Sequence, residues 1–282
     1  MNKVNQAREI IRKYPFQEKQ LSDYAMDKIG LYFRKESRGY YYNRKITKLF
    51  KVLTPEILAE SFHFIINLAD TSPTLKMGYS KLFGSPHLPG DWKMPRDWKG
   101  MSFWFQINLE EVKPFDKEDL LPEKGIIYVF QHSSEGKCKI YFYTDTLDKL
   151  ITRADIPVLN YEKEQTLSFE PSFIFYIGGD TYDYSEIYNF IPKDLRNDLE
   201  KLLECKMDDT DSCTRLFGRP VYWQGEDEEF DEEFDEDQDF ESNELALFFQ
   251  DELDDAAINI WVPKSDLRNG VFENAFETFS TT

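Results

Sequence analysis

The chain has 282 residues, 53 Asp+Glu against 34 Lys+Arg, a net charge of −19, and 41% hydrophobic and 16% aromatic residues. That much apolar material excludes a disordered chain and suits packed strands, while the acidity argues against nucleic acid and anionic lipid as partners and favours basic ones. Cys138, Cys205 and Cys213 form no CxxC pair and leave an odd thiol, so the expected location is a reducing cytoplasm.

Residues 1–16 carry Lys3, Arg8, Glu9, Arg12 and Lys13 without a continuous apolar run. They read as neither a secretory signal nor a spanning helix, and no later run is long enough to cross a membrane. A helix is predicted over about Lys3 to Lys13. Residues 1–51 hold 13 Lys+Arg and 5 Asp+Glu, a net of +8, which leaves −27 on residues 52–282. The expected organisation is a basic helix/strand extension over 1–51 packed on a domain of 52–282. Within the extension, Arg38-Gly-Tyr-Tyr-Tyr-Asn-Arg44 alone resembles a nucleic-acid-binding stretch, but the charge on the rest of the chain opposes that reading.

Thr54-Pro55-Glu56 is a helix start, a capping threonine followed by proline at the first helical position. Leu58, Phe62, Ile65, Ile66 and Ala69 follow at three- and four-residue spacing, predicting a helix over about 55–69 with His63 packed in it. A further helix is predicted from Pro192 or Lys193 to about Glu204, with Leu195, Leu199, Leu202 and Leu203 inward. Strands are predicted at Ile29–Phe33, Tyr79–Phe83, Ser102–Leu109, Gly125–Gln131, Lys139–Tyr143, Thr166–Phe169, Phe173–Ile177, Leu245–Phe249 and Ala257–Val262, from their aromatic and β-branched content. Strands outnumber helices without regular alternation, which predicts an α+β fold with a largely antiparallel sheet and peripheral helices.

One phrase occurs twice. Lys81-Leu-Phe-Gly-Ser-Pro86 is echoed by Arg215-Leu-Phe-Gly-Arg-Pro220. Each copy precedes an aromatic run ending in glutamine, Met101-Ser-Phe-Trp-Phe-Gln106 and Leu245-Ala-Leu-Phe-Phe-Gln250. The expectation is a chain with internally duplicated β halves. Glycine and proline in the phrase read as a turn needed twice, since glycine permits positive φ and proline fixes the next bend.

Tyr79-Ser-Lys-Leu-Phe-Gly-Ser-Pro-His-Leu-Pro89, Trp92-Lys-Met-Pro95, Met101 to Val112 and Leu121 to Phe130 together resemble the YwqG-like family of bacterial proteins, whose members carry a domain of unknown function. Lys139–Tyr143 with Asp148, Leu167–Pro171, Arg215–Pro220 with Gln224, Glu244–Gln250 and Asp266–Arg268 are similar to its later blocks, so the resemblance spans about residues 56–280. The chain departs from the pattern at Asp254-Asp-Ala-Ala257, where a Trp-Gly-Asp stretch is expected, and in a longer acidic tract. The resemblance implies an α+β fold with partly duplicated, β-rich halves and no assigned activity.

Candidate chemistry is sparse. His63, His87 and His132 are scattered, with neither HExxH nor paired-His spacing for zinc, and no cofactor or metal is expected. There is no GxSxG, and Cys138 near His132 reads as two sides of a hairpin rather than a nucleophile with its base. Tyr176-Ile-Gly-Gly-Asp180 lacks phosphate-loop spacing, and Asp235-x-Asp237-x-Asp239 lacks the glycine and distal glutamate of a calcium loop. No catalytic motif is recognisable.

Two function readings remain open from residues alone. Twelve of the sixteen residues from Glu226 to Glu241 are acidic, with Phe230, Phe234 and Phe240 among them. Self-repulsion predicts an exposed inserted loop. It is an inert solvated segment, a segment against which the chain's own basic residues 1–51 pack, or a binding segment that meets a basic protein by charge and anchors with rings, through Glu228, Glu229, Phe230, Asp231, Glu232, Glu233, Phe234 and Asp235. An inhibitor or immunity-type protein fits such a surface. The alternative is a small-molecule binder or enzyme with an aromatic cleft between the β halves, using Trp104, Gln106 and Gln250. Against that stands the commoner role of a buried glutamine, tying down neighbouring backbone.

Overall fold

The computed structural model describes residues 2–16, 55–72, 76–132, 137–159, 163–175, 191–208, 214–218, 245–253 and 256–281. The strand expected at Ile29–Phe33, the segments Arg38–Arg44 and Tyr176–Asp180, Cys213, Gln224 and the acidic tract Glu226–Glu241 lie outside the described residues. The chain divides into two compact units, Met1–Phe64 with Ser172–Asp211 and Ile65–Pro171 with Ser212–Thr282.

The first unit is helical. Helix α1 (Lys3–Lys13) buries Val4, Ala7 and Ile11, one stripe at three- and four-residue spacing, and Asn2 caps it by accepting from Asn5 N at 2.8 Å. Helix α2 (Pro55–Glu60) is short. The helix Lys193–Leu203 buries Leu195, Leu199 and Leu203 and begins after Pro192, as the sequence predicts. Tyr14 donates to Asp194 in its first turn at 2.7 Å.

The sequence-predicted helix over 55–69 is corrected by the structure. It stops at Glu60, and strand β1 (Phe62–Thr71) follows. Phe62, Phe64, Ile66 and Leu68 are all buried at a spacing of two, and the β-branched and aromatic residues of this run favour extended backbone. His63 therefore sits on a strand, not a helix.

The second unit holds most of a largely antiparallel sheet. Its strands are β2 (Lys81–Leu82), β4 (Met101–Asn108), β5 (Ile126–His132), β6 (Cys138–Tyr143), β8 (Gln165–Phe175), β10 (Arg215–Leu216), β11 (Leu245–Leu253), β12 (Ala256–Pro263) and β13 (Phe276–Thr281), with β1. Their order is β13-β12-β11-β10-β1-β8-β2-β4-β5-β6. The expected strand Thr166–Phe169 and the described part of Phe173–Ile177, as far as Phe175, are one strand in β8. Pro171 lies between its β2-paired part and the part that pairs in parallel with β9 (Lys206–Met207), so the missing N–H interrupts neither ladder. A separate two-stranded ribbon joins β3 (His87–Pro89) to β7 (Leu150–Thr152).

The two repeated phrases occupy matching positions. Lys81 pairs with Gln106, and Arg215 with Gln250. Phe83 N donates to Trp104 O at 2.7 Å, and Phe217 N to Leu247 O at 2.9 Å. Each phrase then turns through two left-handed residues, Phe83 and Gly84 at φ 57 and 66, Phe217 and Gly218 at φ 66 and 86. β4 and β11 each carry a register irregularity just before the glutamine, between Phe103 and Phe105 and between Leu247 and Phe249.

Candidate functional site

Two polar rows cross the sheet at the repeated phrases. In the first, Thr166, Lys81, Gln106, Tyr128 and Tyr141 pair in succession over five strands. In the second, Asn67, Arg215, Gln250, Asn259 and Thr278 do the same. Directly paired residues face the same side of a sheet, so each row is one continuous polar stripe. Lys81, Gln106, Tyr128, Arg215, Gln250, Asn259 and Thr278 are all buried. Buried polar groups carry a large desolvation cost unless bonded, so each needs a partner.

The first row finds its partners in the backbone around the glycine turn. Gln106 Oε1 accepts from His87 N at 2.9 Å, and its Nε2 donates to Tyr79 O at 2.6 Å. Tyr128 donates its hydroxyl to His87 O in a short bond. Lys81 is 1% exposed, and its ammonium donates to Ser85 O at 2.5 Å and to Glu164 at 2.7 Å. Glu164 also accepts from the Tyr79 hydroxyl at 2.5 Å. Turn, cation and carboxylate thus form one closed network.

The electrostatics follow from that closure. Burial lowers the Lys81 ammonium, against the pull of Glu164. Burial pushes the Glu164 carboxyl up, but the bonds from Lys81 and Tyr79 outweigh it and hold the group below the ordinary carboxylate range. Burial and the Lys81 charge lower His87 to about 4, so it is neutral near pH 7. Its Nδ1 accepts from Gly78 N at 3.0 Å, which places the proton on Nε2. This network can hold a turn and a buried charge. Its donors and acceptors are engaged on the protein itself.

The cleft candidates are placed as follows. Trp104, Gln106 and Gln250 are each fully buried. Phe105 and Phe249 lie with ring centroids 4.0 Å apart, and Trp104 meets Phe249 edge-on at 5.3 Å. The structure brings Gln106 into the Lys81 network and leaves Trp104 among the rings between β4 and β11. Of the acidic candidates, Glu228 to Asp235 all lie outside the described residues.

His132 and Cys138 flank a hairpin, with His132 N donating to Lys137 O at 2.9 Å. Cys138 is buried, and burial together with the nearby Glu277 pushes its thiol up, away from the thiolate a nucleophile needs. Among the described residues no group of three or more His, Cys, Asp or Glu is gathered in a way that could hold a metal. No helix among them is long and apolar enough to cross a membrane.

A family model described as a domain of unknown function, DUF1963, matches residues 80–280. The chain belongs to that family. The DUF1963 region takes in both repeated phrases, the acidic tract and both polar rows save Asn67, and it begins at Ser80, whose Oγ accepts from Asn108 N at 2.9 Å in the first row's neighbourhood. No curated protein matches the chain. Sequence reasoning singles out Gln106 and Gln250 but misses Lys81, Glu164, Tyr128 and Asn259. The doubled basic residue before Leu-Phe-Gly was a usable signal for Lys81; Glu164, 83 positions away in the chain, offered none.

Proposed function

We propose that this DUF1963 protein is a non-catalytic, YwqG-like binding protein of the bacterial cytoplasm whose partner is a basic protein. The observation that carries the reading is the charge distribution. Residues 52–282 hold −27, and twelve acids fall between Glu226 and Glu241 with Phe230, Phe234 and Phe240 among them. Charge of one sign steers a basic partner into encounter, and interleaved rings supply the anchors that charge alone lacks. Glu228, Glu229, Phe230, Asp231, Glu232, Glu233, Phe234 and Asp235 form the proposed contact segment, in the manner of an inhibitor or immunity-type protein. In support, the polar groups around Lys81 bond to the protein's own backbone and to Glu164.

The same reading takes the two strand arrays as an internal duplication. The matched pairings Lys81–Gln106 and Arg215–Gln250, with their left-handed turns, support it. The small-molecule alternative has one observation in its favour, the buried indole Nε1 of Trp104, which has no hydrogen-bond partner. Against it, the rings of Phe105 and Phe249 already touch.

The test is affinity capture from a lysate of the source organism, comparing the intact chain with a variant in which the acids from Glu226 to Glu241 are changed to Ser and Asn. The expected result is one basic protein retained by the intact chain, lost by the variant and released by raised salt. Recovery of the same proteins by both forms would overturn the reading.

A further inference from the structure

The sheet runs in order from β13 to β6, and among the described residues no ladder joins those two strands. Side chains link its ends instead. Gln131 on β5 donates to Glu277 Oε1 on β13 at 2.8 Å, and the Phe142 ring on β6 meets Phe272 edge-on with centroids 5.5 Å apart. Gly270 approaches that same ring so closely that a Cβ there would fall 2.4 Å from it, and Arg268 Nε donates to Asp119 O at 3.2 Å. A seam closed by side chains rather than by a run of backbone hydrogen bonds belongs to the parts of a fold that open locally at least cost.

Glu277 sits in this seam badly provided for as an anion. It is 7% exposed, its Oε1 accepts from the neutral amide of Gln131, and its Oε2 is buried without a partner. The group that faces it from β6 is the buried thiol of Cys138, which the carboxylate pushes up and which offers it no charge. On β12 it pairs with the apolar Ile260, and Lys139, the cation next to Cys138, is exposed. A carboxylate so placed must either carry a proton or reach water. Water reaches Oε2 only if the seam parts. We propose that Glu277 is a proton-operated latch: protonated, it keeps β13 shut against β5 and β6, and ionised, it draws water into the seam and releases β13 from them. The released strand keeps its ladder to β12, so the opening is local and the fold persists through it.

Hydrogen–deuterium exchange on the full chain at pH 6 and pH 8 tests it, with the intrinsic pH dependence of amide exchange divided out. An open seam lets Glu277 lose its proton near 4.5, while a closed one keeps it to about 7, so the opening equilibrium should rise about tenfold between those two conditions. The rise is expected in peptides covering β13 and the facing parts of β5 and β6. It should be absent from β1 and β8, in the middle of the strand order. Glu277→Gln, which keeps the acceptor for Gln131 and cannot ionise, should hold the seam at its pH 6 rate throughout. A rise shared equally by all strands would mean that ionisation acts on global unfolding alone, and would overturn the latch. So would no rise in the wild-type chain, or the same rise in Glu277→Gln. Should the variant fail to fold, nuclear magnetic resonance on the wild-type chain decides: the Glu277 carboxyl carbon and the backbone amides of β13 and of Gln131 titrating with one midpoint support the latch, and amides that do not follow the carboxyl refute it.

Discussion

Gln131 on β5 donates a 2.8 Å hydrogen bond to Oε1 of Glu277 on β13, while the carboxyl's other oxygen is buried without a partner. The bond ties a strand at one end of the sheet order to one near the other. Among the described residues no Lys or Arg pairs with Glu277. Burial accordingly pushes its carboxyl up to about 7, with Gln131 opposing only in part.

The burial of Glu277 makes stability depend on pH with a defined sign. An unfolded glutamate releases its proton near its ordinary value of 4.5, whereas the folded chain keeps it to about 7. The contribution is therefore complete below about 4.5 and is lost as pH rises to about 7. The loss is about 3 kcal/mol. Glu277→Gln keeps an acceptor for Gln131 and removes the charge, so it should stabilise the chain at pH 8 and have little effect at pH 4. Urea unfolding at the two pH values checks this. An unchanged pH slope in the variant would sink the assignment.

Gln106 carries two buried backbone groups, His87 N and Tyr79 O. Replacing it with leucine strips both of their partner in a site that water does not reach. Each orphaned group costs about 1–3 kcal/mol, so Gln106→Leu should lower unfolding free energy by about 2–4 kcal/mol. Equilibrium denaturation measures it. A cost below about 1 kcal/mol would mean that the turn relaxes onto other partners.

What could be read from the sequence divides along a physical line. Helix α1 and the helix Lys193–Leu203 were legible because each buries a single stripe, at Val4, Ala7 and Ile11 and at Leu195, Leu199 and Leu203. β1 was not, because Phe62, Phe64, Ile65 and Ile66 are all buried, and a run apolar on both faces satisfies helical and extended spacing together. β13 was overlooked for the opposite reason. Phe-Glu-Thr-Phe-Ser-Thr looks like surface, yet Glu277 and Thr278 are buried. In the site, Gln106 and Gln250 stood out because the phrase repeats. Their partners did not, since Glu164 joins through an ion pair with Lys81, His87 through its backbone N–H and Asn259 through pairing with Gln250, and local spacing in the chain encodes none of these.

Thiol reactivity separates two cysteines. Cys138 is buried with its thiol pushed up by burial and by Glu277, while Cys205 is partly exposed. Alkylation of the native chain at pH 8 should therefore modify Cys205 at least about tenfold faster than Cys138. Peptide mapping of the labelled protein gives the ratio. Comparable labelling of both would show that β6 opens readily from its hairpin with β5.

Gly84 is where the backbone and the ion pair meet. At φ +66 a side chain there is strained on its own account, and a Cβ would also fall 2.2 Å from Glu164 Oε2 and 2.8 Å from Glu164 Cβ. Gly84→Ala should therefore destabilise by about 2 kcal/mol or more, the left-handed backbone supplying roughly half. The remainder depends on Glu164. Glu164→Ala has its own cost, because it leaves the buried Lys81 ammonium and the Tyr79 hydroxyl short of an acceptor. In that background the carboxylate is gone, so the same Gly84→Ala change should cost about 1 kcal/mol less than it does in the wild-type chain. A double-mutant cycle by chemical denaturation isolates that coupling. Additive costs would mean that Glu164 swings away from the turn without penalty, in which case the closed network around Lys81 is not what fixes the turn.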